Sequence, residues 1–179
     1  MTDFVHLRLH TEYSLVDSVV RIPELITQVA AERMPAVAVT DQNNLFALVK
    51  FYKAALEKGV KPIVGVDLLI AEPGDRVAPT RIALLCQNEA GYRNLTRLVS
   101  RAYLEGQQRG APRIDRSWLD ARSTAGLIAL SCGLDGDVGR ALAAGKTADA
   151  RRQLAEWRAL FGDRYYLEVI AIKIGRAHV

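Results

Sequence analysis

Apolar residues in this chain occur in two patterns: short, nearly unbroken runs, and stretches where they recur every three or four positions. The runs Ala36–Thr40, Lys61–Leu69, Arg81–Cys86, Gly126–Ser131 and Tyr165–Ile170 predict strands. The periodic stretches predict helices over about Ile22–Glu32, Leu45–Lys58, Tyr92–Glu105 and Asp149–Phe161. Punctuation agrees: Pro23 suits a first helical turn, Asn44 suits a cap and Gly59 suits a stop. Glu72–Asp75, Gly106–Pro112 and Asp135–Asp137 read as turns or loops. Strands that alternate with helices and are themselves almost wholly apolar predict a parallel sheet covered on both faces, which fits an open doubly wound sheet or a barrel.

Composition narrows the class. With 179 residues, half of them hydrophobic and a quarter charged, the chain can bury a core of its own and suits one domain or a large part of one. The formal charge of +4 is mild and the basic residues are scattered, so charge alone does not mark a nucleic-acid binder. No apolar stretch is long enough to span a membrane and Met1-Thr2-Asp3 does not open a signal peptide, so a cytoplasmic protein is expected. Cys86 and Cys132 sit apart in apolar surroundings and read as reduced thiols. The last six residues, Ile174 to Val179, resemble the translation of a sequencing adapter and are expected to be a non-native tail on a chain whose credible part is 1–173.

Candidate chemistry lies at strand ends. An N-terminal strand from Val5 to His10 would present His6, Arg8 and His10 on one face, because strand side chains alternate. Asp17, Asp41, Asp67, Asp137 and Glu168 lie at or just after the carboxyl ends of predicted strands, the end where βα barrels gather their functional groups. That placement favours the barrel. The phosphate-binding glycine loops, paired C-x-x-C ligands and G-x-S-x-G elbow are all missing from the sequence, which excludes the enzyme classes built on them.

The blocks Phe4–Asp17, Pro35–Asp41, Gly59–Asp67, Asn88–Leu95 and Tyr166–Glu168, taken in that order, resemble the polymerase and histidinol phosphatase (PHP) domain, in particular the PHP domain that opens the alpha subunits of bacterial C-family replicative polymerases. The resemblance implies an α/β fold, a distorted (β/α)7 TIM-like barrel, here truncated at its C-terminus. It also implies that metal ligands of the family fall on Arg8, His10, Asp17, Gln42, Asp67, Arg81 and Gly133, with Cys132 one position early. Two of these are now guanidinium groups and one is a neutral amide, poor replacements for imidazole donors. The expected site is therefore vestigial, with no metal and no catalytic residue. Arg8 and Arg81 are expected to pair with Asp17, Asp41 or Asp67, while His6, Asp41, Asp137 and Glu168 complete the rim. The implied role is to scaffold the polymerase palm and thumb and to dock a proofreading exonuclease (epsilon) subunit. Primer-template DNA and Mg²⁺ belong to the polymerase elsewhere in the parent chain. The rival expectation is a working phosphoesterase or 3′–5′ nuclease using Zn²⁺ or Mn²⁺.

Overall fold

A computed structural model describes residues 4–71, 78–108 and 110–169; the 174–179 tail lies outside the described residues. The strands are β1 (Ala36–Val39), β2 (Lys61–Ile70), β3 (Thr80–Cys86), β4 (Gln107–Gln108), β5 (Ala111–Pro112), β6 (Leu127–Leu130) and β7 (Tyr165–Tyr166). The α-helices are α1 (Ile22–Ala31), α2 (Leu48–Glu57), α3 (Glu89–Glu105), α4 (Asp137–Ala143) and α5 (Thr147–Phe161). Helix α4 falls where the sequence suggested only a turn, and α3 starts three residues earlier than expected because Asn88 caps it by accepting from Gly91 N–H.

The main sheet runs β1-β2-β3-β6-β7. It is mixed rather than all parallel, since β3 is antiparallel to both β2 and β6, whereas β1–β2 and β6–β7 are parallel. β2 ends at Ile70 and β3 begins at Thr80, a connection shorter than the dozen or more residues that a parallel crossover needs. The reversal places Arg81, at the start of β3, beside the carboxyl end of β2.

The predicted first strand is also altered. Residues 5–10 make an isolated parallel bridge from His6 to Val37, with further bonds from Ala38 N–H to the His6 carbonyl and Thr40 N–H to the Leu9 carbonyl. Thr40 Oγ1 accepts from Leu9 N–H at 3.0 Å, so a side chain takes over part of the ladder.

Alternation along each strand sorts its residues between two cores. Val66, Leu68, Ile82 and Leu84 pack outward against α3 and α5, around Leu95, Trp157 and Phe161. Val37 and Val39 meet Ile22, Ile26 and Phe51 of α1 and α2. The opposite face carries Ala38, Ala83, Leu85, Leu130 and Cys132. Those residues are mostly small, and Asp67 shares their face because it alternates with Val66 and Leu68 and pairs with Ala83 across the ladder. Among the described residues no helix is long and apolar enough to cross a membrane.

Candidate functional site

Asp67 is the centre of the site. It is fully buried, and its Oδ2 accepts from Arg8 Nη2 at 2.7 Å and Nε at 3.1 Å. His10 Nε2 lies 2.9 Å from the same oxygen, and Arg81 Nη1 stands 3.6 Å away. The thiol of Cys132 points at Oδ1 from 3.7 Å. Arg8 also faces Asp135 at 3.7 Å and Glu168 at 3.9 Å, while the other ring nitrogen of His10 bonds Asp17.

The physical logic is that of a buried carboxylate kept ionised by donors on three sides. Burial would raise the Asp67 pKa, but the His10 hydrogen bond and the Arg8 charge outweigh it and hold the carboxyl below its usual range. Burial would lower His10, yet its bonds to Asp67 and Asp17 raise it above the ordinary histidine value. Arg8 is likewise raised, with the Asp67 charge overcoming desolvation, and burial pushes the Cys132 thiol well up, reinforced by Asp67. Cys132 is therefore a neutral donor at the pH of a cell.

Backbone geometry sets this arrangement. Arg8 lies on the segment beside β1 and Glu168 follows β7, so the Arg8–Glu168 contact joins the two outer edges of the sheet. The sheet is curled far enough for these two side chains to touch, while β1 and β7 share no ladder. Cys132 adopts left-handed dihedrals (φ +57°), and Gly133 follows at +52°. Together they turn the chain so that Cys132, rather than the adjacent Gly133, reaches Asp67. Gly136 lets the following loop close: a Cβ there would sit 1.8 Å from the Ser131 carbonyl oxygen. A polar cavity of 660 Å³ opens above the cluster, lined by Arg8, His10, Asp17, Arg81, Asp135 and Glu168.

The other sequence candidates are placed elsewhere. Asp41 is buried and fully engaged by Thr11 N–H (2.6 Å), Thr11 Oγ1 (2.7 Å) and Ser14 Oγ (2.7 Å), so it anchors the 11–14 loop and has no role in pairing arginine. Gln42 contributes backbone: its N–H donates to Ser14 Oγ and it bridges Asp67. Asp137 accepts from Trp157 Nε1 and from Arg116 Nη1 at 2.9 Å, a separate network beneath α5. His6 sets its ring edge-on to Phe4 and lines a second, largely apolar cavity on the far side of Arg8.

Asp135 and Cys132 are the members that sequence reasoning placed least well. Asp135 sat in a segment read only as a turn, and nothing in its spacing relates it to Arg8. Among the described residues, no three or more His, Cys, Asp or Glu side chains converge as a metal-holding group.

The family description "PHP domain" matches residues 6–171. The chain is 51% identical over 166 residues to the DNA polymerase III subunit alpha of Pseudomonas fluorescens and 50% identical to that of Pseudomonas aeruginosa. It is 45% identical over 169 residues to the same subunit of Escherichia coli K12. Each match takes in 93% of this chain but spans only 14% of the relative. Among solved structures, an amidohydrolase from Chromobacterium violaceum with bound sulfate and no metal aligns at TM-score 0.44 and 22% identity, over 55% of this chain and 32% of that one.

Proposed function

The chain belongs to the PHP domain family, and on that premise we propose that it is the opening domain of a bacterial DNA polymerase III alpha subunit, with its metal site replaced by an ion-pair cluster. The observation that carries the reading is the Arg8 guanidinium seated on buried Asp67. A divalent ion at Asp67 would have to share that carboxylate with Arg8 and Arg81, 2.7 and 3.6 Å away. At an effective dielectric near 20, one guanidinium about 4 Å from a dication costs on the order of 8 kcal/mol. The donor set does not fit a metal, and no reaction step is assigned to one. The vestigial positions are Arg8, His10, Asp17, Gln42, Asp67, Arg81 and Gly133.

The role left to such a domain is mechanical. Fixed charge replaces metal charge and holds the sheet edges together, so the rim keeps its shape without an ion. In the whole protein the domain would buttress the palm and thumb and dock the exonuclease subunit, in the cytoplasm. Nucleotide transfer to a primer 3′ end would belong to Mg²⁺-binding aspartates beyond these residues.

Metal analysis of the full-length subunit tests the proposal. Less than 0.2 equivalents of zinc or manganese attributable to this domain, and no hydrolysis of an aryl phosphate, are expected on the order-of-magnitude penalty above. Two or more equivalents, with phosphatase or 3′-exonuclease activity lost in Asp67→Asn, would establish the phosphoesterase reading instead.

A further inference from the structure

We propose that the groove between α2 and the start of α3 binds single-stranded nucleic acid, with bases stacked on Tyr52 and Tyr92 and phosphates held by Lys53 and Lys61. The inference rests on the reading that the chain opens a DNA polymerase subunit, whose template is single-stranded ahead of the primer end. The groove shares no residue with the cavity above Asp67.

Helix α2 is apolar on two sides. Phe51 and Ala55 face inward, packed with α1 and β1. Val49 and Tyr52 are 65 and 47% exposed, and Tyr92, in the first turn of α3, is 39% exposed. A helix side turned to water carries polar residues, so exposed rings and a valine gathered at one place call for a partner. These three residues line a groove of 560 Å³ together with Pro62, Val64 and Cys86. That volume falls within the range of sites for small organic groups and can seat a base.

Charge decides the class of ligand. Four of the chain's six lysines, Lys50, Lys53, Lys58 and Lys61, fall within one short stretch. Lys50 is engaged by Glu12 at 3.5 Å. Lys53 and Lys61 line the groove, and their side chains make no hydrogen bond or ion pair among the described residues. The carboxylate in the lining, Glu89, is held by Arg93 one helical turn on, so it leaves the charge of the two lysines uncancelled. Gln87 adds an exposed amide, also without a side-chain partner among the described residues, that can meet the edge of a base.

Aromatic faces between cations are the composition of a single-strand platform. Every base offers a ring to stack on tyrosine, and every nucleotide brings a phosphate for an ammonium group. An apolar peptide would use the rings and leave both lysines idle.

The experiment uses the full-length subunit with oligothymidylate carrying 5-iododeoxyuridine, irradiated and mapped by mass spectrometry. A cross-link on Tyr52 or Tyr92 is expected, weakened about fivefold or more when Lys53→Glu and Lys61→Glu are combined. Cross-links confined to other parts of the subunit, or a yield unchanged by the lysine substitutions, would overturn the proposal. A second measurement guards against poor photochemical yield. Val49→Cys should react freely with maleimide in the subunit alone and about fivefold or more slowly under saturating oligothymidylate, while Glu57→Cys, exposed on the same helix, is unaffected. Equal rates with and without the oligonucleotide would overturn the proposal. Slow labelling before any is added would do so too, by showing a protein segment in the groove. A subunit that extends no primer refutes the polymerase reading; one that extends primers while position 49 labels freely under oligothymidylate refutes this inference alone.

Discussion

Replacing Arg8 by Met leaves Asp67 buried with two of its donors gone. Arg8 supplies bonds of 2.7 and 3.1 Å to one oxygen, and its side chain is itself mostly covered. Removing one partner of a buried pair costs about 3–5 kcal/mol. Here His10 and Arg81 remain near the carboxylate, so the lower end, about 3 kcal/mol, is expected. Asp67→Leu strands two arginines instead, and about 3 kcal/mol is again expected on the same basis. The double variant removes both charges and buries apolar groups in their place. It should cost about 3 kcal/mol rather than the sum of the two, a coupling of roughly 3 kcal/mol. Native-state hydrogen exchange of β2 and β3 amides in the full-length subunit reads these local opening energies. Additivity within about 0.5 kcal/mol would refute the view that the pair holds the site together.

Two further outcomes follow from the same geometry. His10 has a folded pKa raised above its unfolded value, so its contribution is complete below about pH 6.5 and is lost as pH rises through the folded value, whereas the Asp67 contribution, with a lowered pKa, is lost only on acidification below about pH 4. His10→Gln should therefore flatten the fall in exchange protection near Asp17 above neutrality while leaving the acid limb intact; an unchanged alkaline limb would contradict it. Asp41→Ala deletes the acceptor of three bonds from Thr11 and Ser14, and should lower the protection of the 11–17 amides by about 2–4 kcal/mol with little change in β6. Equal loss across the sheet would show that Asp41 is not a local anchor.

Much of the fold was legible because burial on one or both faces writes itself into periodicity. The positions of α1, α2, α3, α5 and the main strands follow from apolar spacing, whereas the start of α3 is set by the Asn88 cap, which the spacing does not show. Arg8 stands out by its place between two histidines on the first predicted strand and Asp67 by its place at a strand end, whereas Arg81 is marked only by the resemblance to the PHP family. Which partner each would take was not legible, because the choice depends on distances across strands far apart in sequence. The antiparallel β3 brought Arg81 to the rim, and curling of the sheet brought Glu168 to Arg8. The Thr11 and Ser14 hydroxyls, local to the loop, claimed Asp41 before any arginine could.

The sequence by itself determined the elements, the two faces of each strand and the presence of unpaired charge in apolar surroundings, since all three depend on near neighbours. Only the tertiary structure decided that one carboxylate, Asp67, would collect Arg8, His10, Arg81 and Cys132 while Asp137 served Trp157 and Arg116. A buried charge takes whichever donors the packed backbone leaves within about 3 Å, and no one-dimensional pattern encodes that distance.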